Sequence, residues 1–349
     1  MRPCWRGSAR GGGEENGMLI RIRKGWEIPE RLVTGEELVM NRRHLLRGAG
    51  ALAVAGALAG CDNGSQSSQN GGIQTAASSD PTASMYPFKH NPAYAVTDRA
   101  QTPETIVASY NNYYEFGQEK DDPVRNADRL PIRPWEVSFE GMVEKSFKTD
   151  FDTLIKAMPL EERIYRHRCV ETWAFVAPWS GFPMKALIDY AKPASDAKYV
   201  VMKTWMNADV APAQNMVWVP WPYTEGLTLE EANNELAFMV TGMYGKPLPK
   251  QNGAPLRLVT PWKYGFKSTK GIQRFIFTNE RPKTYWMALG PDEYGFWANV
   301  NPQVPHPRWS QATEEILGTG ERVPTQLYNG YGAQVASLYT SLTDERLFM

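Results

Sequence analysis

Cysteine is nearly absent from this chain. Of 349 residues three are Cys, at positions 4, 61 and 169, and only Cys169 lies in sequence that reads as a folded domain. A disulfide within the fold is thereby excluded, and in an oxidising compartment a protein that keeps one unpaired thiol normally needs it for something. Charge of one sign is lacking as well. The 38 Lys and Arg balance 38 Asp and Glu, so the basic excess that marks a nucleic-acid binder is missing. No apolar run reaches the roughly 20 residues of a spanning helix. No Gly-x-x-x-x-Gly-Lys-Ser/Thr occurs, which removes the nucleotide-binding P-loop. No Cys-x-x-Cys-His and no Cys-rich cluster occurs, which removes attached haem and iron–sulfur centres.

What is present is ordinary globular composition, 42% hydrophobic and 22% charged, with 12 Trp, 16 Tyr and 26 Pro. The length suits one large or two ordinary domains. No repeat or linker divides the chain after about Pro87, which reads as one continuous mixed α+β domain.

The first 60 residues read as an export signal. Asn41-Arg42-Arg43-His44-Leu45-Leu46-Arg47 supplies a basic region and Gly48 to Gly60 a short apolar one, too short to span a bilayer. The paired arginines point to the twin-arginine route into the periplasm. Leu58-Ala59-Gly60-Cys61 has the form of a lipoprotein processing box, which would anchor the chain through Cys61. Cleavage nearby at a small-residue site, giving a soluble periplasmic protein, stands as the other reading. Met18 and Met40 are alternative starts. Residues 61 to 85, poor in bulky side chains, read as a flexible tether, with order expected from Tyr86.

Along the folded part, Trp135 to Val143 alternates as a strand does, at a sheet edge or in a hairpin. Asp150 or Asp152 is placed to cap a helix to about Ala157. Ile164 to Cys169 reads as a strand that delivers Cys169 at its end. The Trp179-Ser180-Gly181-Phe182-Pro183 stretch reads as a turn feeding a helix over Lys185 to Ala191. Strands are expected at Lys198 to Met206, Leu236 to Thr241, Leu256 to Thr260 and Ile272 to Thr278, and Thr228 to Glu231 has capping-box spacing.

Cys169 is preceded by Arg166, His167 and Arg168. Positive charge beside a thiol favours the thiolate over the thiol, whose unperturbed pKa is about 8.5. A thiolate is both nucleophile and soft metal ligand, and charge alone does not choose between them. A buried, inert cysteine is the third reading, although arginines around a histidine are poor company for an apolar core.

The whole string Tyr165-Arg166-His167-Arg168-Cys169-Val170-Glu171-Thr172-Trp173, with Ala177 to Met184, resembles the molybdenum-binding segment of the sulfite-oxidase superfamily, closest to its protein-methionine-sulfoxide reductase branch. The resemblance runs from about Pro87 to Leu342. It implies that Cys169 is the protein ligand to molybdenum in a molybdenum–molybdopterin cofactor, one per chain, in a β-rich domain without the immunoglobulin-like dimerisation domain of true sulfite oxidases. Asn111, Tyr114 and Glu115 in the polar-aromatic Ala108 to Gly117 segment match the first cofactor-contacting loop, and Thr204 matches a further contact. Gly242 to Val259 resembles the Gly-rich turn into a strand. Asn252-Gly253 stands there where the wider superfamily often has His-Gly, and the reductase branch touches cofactor at the positions of Asn252 and Arg257. A guanidinium suits the phosphate in which the pterin tail ends. Within Trp262 to Gly271, the resemblance places Ser268, Thr269 and Lys270 against the cofactor.

The activity so implied is reduction of methionine sulfoxide, a repairable lesion, in oxidised periplasmic proteins. The electrons would come to this monomeric catalytic subunit from a membrane-embedded haem b protein. Sulfite oxidation or reduction of another small S- or N-oxide is a rival on the same scaffold, and a solute-binding lipoprotein is a rival of another class. Glu171 is expected as a catalytic residue. If the strand ran on past Cys169, Glu171 would share its face and pass protons to the departing oxygen. The alternative is an ion pair with Arg166 or Arg168.

Overall fold

The computed structural model describes residues 80–349; the signal, the Cys61 box and nearly all of the expected tether lie outside them. In chain order the elements are α1 (Glu104–Ser109), α2 (Asp122–Asn126), β1 (Glu136–Gly141), β2 (Phe147–Asp150), α3 (Phe151–Lys156), β3 (Glu161–Arg168), β4 (Trp173–Pro183), α4 (Met184–Ala191), β5 (Tyr199–Thr204), β6 (Thr224–Thr228), α5 (Leu229–Ala232), β7 (Phe238–Met243), β8 (Lys246–Pro247), β9 (Arg257–Val259), β10 (Ile272–Thr278), α6 (Tyr285–Leu289), β11 (Thr313–Ile316), β12 (Arg322–Pro324) and α7 (Gly332–Val335). The fold is α+β, with two mixed sheets and short helices. Among the described residues no helix is long and apolar enough to cross a membrane.

One sheet has the order β2-β1-β10-β5-β6, and the other follows β12-β11-β4-β7-β8, with β3 beside β4 and β9 beside β7. Both are mixed: β1 runs parallel to β10 and β11 parallel to β4, and the other pairings are antiparallel. Side chains from both sheets share one hydrophobic cluster in which Trp135, Trp179, Trp205, Trp262 and Phe139 are almost wholly buried. Each such ring stabilises the fold by about 1.5–3 kcal/mol.

Local signals mostly become the expected elements. Asp150 caps α3 by accepting from the Asp152 amide at 2.8 Å, and Thr228 with Glu231 forms a complete capping box on α5. The Trp135 to Val143 strand is the hairpin partner of β2, but it lies inside the sheet because β10 pairs with its other side. Packing begins ahead of Tyr86, since Asp80 already pairs with Arg133 at 3.2 Å.

Trp179 to Pro183 departs from the expected turn and is the end of β4, buried from Trp173 to Phe182. Neighbours on both sides hold it extended, β3 along its length and β7 across Trp179 to Pro183. Gly181 marks a register shift in that ladder, and a Cβ there would lie 2.0 Å from the Met239 carbonyl oxygen. The glycine serves close strand approach rather than chain reversal. Pro183 then ends the strand and stands at the N-cap of α4.

Candidate active site

Cys169 sits where β3 stops, and the strand does not continue. The chain reverses between Arg168 and Trp173: the Thr172 amide donates to the Cys169 carbonyl at 3.0 Å and the Cys169 amide to the Trp173 carbonyl at 2.9 Å. Thr172 closes the turn at φ 72°, a region that β-branched residues rarely enter. Glu171 therefore reaches the thiol through a turn rather than through strand alternation, with Oε2 3.7 Å from Sγ.

The neighbouring arginines do not make the thiol acidic, since the small lowering from Arg168 is outweighed. In β3 alternate side chains point to opposite faces, which sends Arg166 and Arg168 away from the face that His167 and Cys169 share. Arg168 is buried against Glu314 at 2.9 Å and Gln311 at 2.8 Å, and Glu314 also takes Arg99 at 2.7 Å. Arg166 pairs with Asp98 and donates to the Asn329 carbonyl at 3.2 Å. Burial, then repulsion from Glu171, pushes the Cys169 thiol up to about 12, the reverse of the shift expected from sequence. A bound metal would supply the charge that deprotonates it.

Glu171 pairs with neither arginine. Its carboxylate accepts from Lys120 Nζ at 2.7 Å, Asn112 Nδ2 at 2.9 Å and Trp173 Nε1 at 3.0 Å. Burial pushes its pKa up, but the donors from Asn112, Lys120 and Trp173 outweigh it and hold the group below the usual carboxylate range. Asn112 Nδ2 also lies 3.6 Å from Cys169 Sγ.

A cavity of about 810 Å³ of atom-free space, counting its open mouth, extends from Cys169. Every residue that the sequence singled out lines it: Asn111, Tyr114 and Glu115 from the loop after α1, Cys169 and Glu171 from the β3–β4 turn, Thr204 at the end of β5, Asn252 and Arg257 around the start of β9, and Ser268, Thr269 and Lys270 ahead of β10. Thr204 Oγ1 donates to Glu115 Oε1 at 3.0 Å, and burial raises Glu115 to about 7. Arg257 Nη1 donates to the Asn252 carbonyl at 2.8 Å.

The basic loop is anchored by its own lysines. Lys267 is buried against Glu225 at 2.5 Å and Lys263 against Glu231 at 2.5 Å, so neither is solvated and neither faces the cavity. Lys270 is the lysine that does.

Asn111 Nδ2 and Oδ1, Asn252 Oδ1 and Thr269 Oγ1 are all buried in the cavity wall with no hydrogen-bond partner. Buried polar groups are nearly always satisfied, so these await a polar ligand. Among the described residues neither Arg257 nor Lys270 belongs to an ion pair. Burial lowers Arg257 to about 10, and burial together with Arg257 lowers Lys270 to about 7. Positive charge held this way without a counter-ion is unfavourable by several kcal/mol, and an anionic end on the ligand removes the penalty. Among the described residues no group of three or more His, Cys, Asp or Glu is placed to hold a metal ion. A metal on Cys169 would need its other ligands from a cofactor. The donor set fits molybdopterin: one thiolate, unsatisfied amides and hydroxyls for a polar ring system, two cations for a phosphate.

Residues 123–286 match the family model described as the oxidoreductase molybdopterin binding domain. The chain thus carries a molybdopterin-binding oxidoreductase domain, and this domain includes Cys169, Glu171, Thr204, Asn252, Arg257, Ser268, Thr269 and Lys270. Asn111, Tyr114 and Glu115 precede the matched span and complete the cavity from outside it. The sulfane dehydrogenase SoxCD from Paracoccus pantotrophus is similar at TM-score 0.40 and 14% identity, over 48% of this chain and 43% of that one. The chain therefore spans less than half the length of that relative.

The structure adds wall residues that sequence reasoning missed. His167 stacks on Phe175 at 4.7 Å and packs against Gly265, where a Cβ would lie 2.5 Å from its Nε2. Burial, Arg257 and Lys270 keep it neutral. Its position two before a turn cysteine was readable from strand alternation. Asn112 sits beside Asn111 and had the same signal. Tyr223, Trp286 and Tyr294 in the wall, and Lys120 behind Glu171, had none, because long-range packing brings them in.

Proposed function

We propose that this chain is the catalytic subunit of a molybdenum-dependent reductase that repairs methionine sulfoxide in periplasmic proteins. It would be exported by the twin-arginine route and fed with electrons by a membrane-embedded haem b partner. The observation that carries this choice over sulfite is the charge at the mouth. The partly exposed residues that line the cavity are Asn112, Tyr114, Glu171, Phe266, Lys270 and Trp286, and of these Glu171 is the charged one beside the thiol, at 3.7 Å. Glu171 is an anion, and the nearest cation, Lys120, is already tied to it. With Arg257 and Lys270 taken by the cofactor phosphate and Lys120 by Glu171, an anionic substrate such as sulfite would meet a carboxylate and no cation left to receive it. A neutral sulfoxide on an aliphatic stem meets aromatic side chains against which that stem can pack.

Molybdenum held on the pterin supplies oxygen-atom transfer coupled to two electrons. The protein's part is to bind and to orient. Arg257 and Lys270 would hold the phosphate through charge-assisted bonds, and Asn111, Asn252 and Thr269 would offer their unsatisfied polar groups to the ring system. Cys169 gives a soft ligand. Buried Val107, Trp173 and Phe175 keep water from the inner wall. Glu171, held beside the thiol by three donors, is the ionised group where protons for the departing oxygen have to arrive. The test is turnover in both directions, with a reduced dye as electron donor for methionine sulfoxide and an oxidised dye as electron acceptor for sulfite. Methionine sulfoxide should be reduced and sulfite left unoxidised; brisk sulfite oxidation with no sulfoxide reduction would overturn the reading.

A further inference from the structure

Five large apolar side chains are exposed among the described residues: Met206 by 50%, Val217 by 93%, Trp218 by 75%, Leu289 by 39% and Leu327 by 48%. All but Leu327 lie on two segments that start or end at residues lining the cavity, Thr204 and Tyr223 for one and Trp286 for the other. The first is the connection from β5 to β6. It leaves the wall after Thr204, where Trp205 Nε1 donates to the Tyr113 hydroxyl at 2.8 Å, and returns at Tyr223, whose hydroxyl donates to the Phe266 carbonyl at 2.6 Å. The second is α6, which contributes Trp286 to the mouth and ends at Leu289. Trp221 and Tyr223 of the first both pack on Tyr285 of the second, at ring separations of 5.2 and 4.5 Å. The two segments form one lip.

This lip is built. Gln214 Nε2 donates to the Trp205 carbonyl at 3.0 Å and Trp221 Nε1 to the Ala213 carbonyl at 2.9 Å, while the Asn207 amide donates to Gln214 Oε1 at 2.7 Å. A hydrogen-bonded loop thus holds Val217 and Trp218 outward. Apolar groups gathered on a surface in this way mark a contact site. Cys169 is 5% exposed at the inner end of the cavity, so a long side chain can reach it only while the chain that bears it stays outside, against whatever surrounds the mouth.

We propose that Met206, Val217, Trp218 and Leu289 form the docking surface for the polypeptide on either side of an oxidised methionine, and that they favour unfolded stretches with apolar flanks over the free amino acid. This rests on the sulfoxide reading above for its substrate, but the binding itself is measurable without turnover. Exposed tryptophans at interfaces carry a large share of binding energy, so loss of the lip should weaken polypeptide binding by about tenfold or more.

The experiment uses the loaded enzyme with reduced benzyl viologen as donor and compares Val217→Ser/Trp218→Ser with wild type and with Leu327→Ser. Substrates are chemically oxidised casein and free methionine sulfoxide. In parallel, fluorescence anisotropy follows a labelled peptide carrying methionine sulfoxide between leucines. The double variant should raise KM for casein and Kd for the peptide about tenfold, with kcat unchanged. Free methionine sulfoxide should stay within about twofold, and Leu327→Ser should match wild type. Equal loss on both substrates, or unchanged casein KM and peptide Kd, overturns the proposal. So does a defect seen only when a quinol-fed membrane donor replaces the dye, which would assign the lip to the electron donor. Lip-dependent peptide binding without sulfoxide turnover by wild type would leave the docking surface standing and remove the proposed activity instead.

Discussion

Arg257→Met should change the empty and the loaded protein in opposite directions. The guanidinium is 3% exposed and faces no carboxylate among the described residues. Burial lowers it from 12.5 to about 10. For a base, a depressed folded pKa means that folding disfavours the charged form, and the penalty is full at any pH well below 10. At 1.36 kcal/mol per unit the drop amounts to about 3 kcal/mol. Met keeps the apolar stem and removes the charge, but loses the bond to the Asn252 carbonyl at 2.8 Å, a long one to the Leu258 carbonyl at 3.4 Å and the cation–π contact with Trp179 at 5.1 Å, together worth about 2 kcal/mol. The net expectation is an empty protein more stable by about 1 kcal/mol, a rise in Tm of a few degrees at most. In the loaded protein the phosphate loses a bidentate partner, about 1.5–3 kcal/mol per charged bond, so cofactor affinity falls about a hundredfold or more. Thermal shift on protein from a host unable to make molybdopterin gives the first quantity, and molybdenum retained after dialysis of loaded protein gives the second. A variant that melts several degrees lower when empty and yet keeps wild-type molybdenum would refute the reasoning and make Arg257 a structural residue.

Cys169→Ser replaces a soft thiolate by a hard hydroxyl, so turnover should be lost with circular dichroism and Tm retained; full turnover by the Ser variant would remove Cys169 as the metal ligand. Glu115 has its folded pKa raised from 4.5 to about 7 by burial. The native state therefore binds the extra proton between those values and stability falls as pH rises through them. Glu115→Gln of the empty protein should match wild type near pH 4 and exceed it by up to about 3 kcal/mol at pH 8 in urea melts, and a constant difference across that range would contradict the assignment. Gly181→Ala places a Cβ 2.0 Å from the Met239 carbonyl oxygen, forcing β4 and β7 apart, and should reduce stability by about 3 kcal/mol or more; unchanged denaturation would show that the ladder yields.

Local chemistry carried well from sequence to structure. The Asp150 cap, the Thr228 capping box and the strand leading to Cys169 all depend on residues a few positions apart. The residues expected to touch a cofactor came from the resemblance, and the structure brings all of them to one cavity. Expectations failed where a distant neighbour decides. Trp179 to Pro183 has the composition of a turn, yet two flanking strands hold it extended. Arg166 and Arg168 adjoin Cys169 in sequence, but the pleat turns them to the other face, where Asp98 and Glu314 wait. The partner of Glu171 is Lys120, far off along the chain and in no motif.

Molybdenum content decides the central claim, that the cavity beside Cys169 holds a molybdopterin. Protein purified from a host that makes the cofactor should contain close to one molybdenum per chain by elemental analysis. Protein from that host that folds and purifies normally but carries no molybdenum would contradict the account.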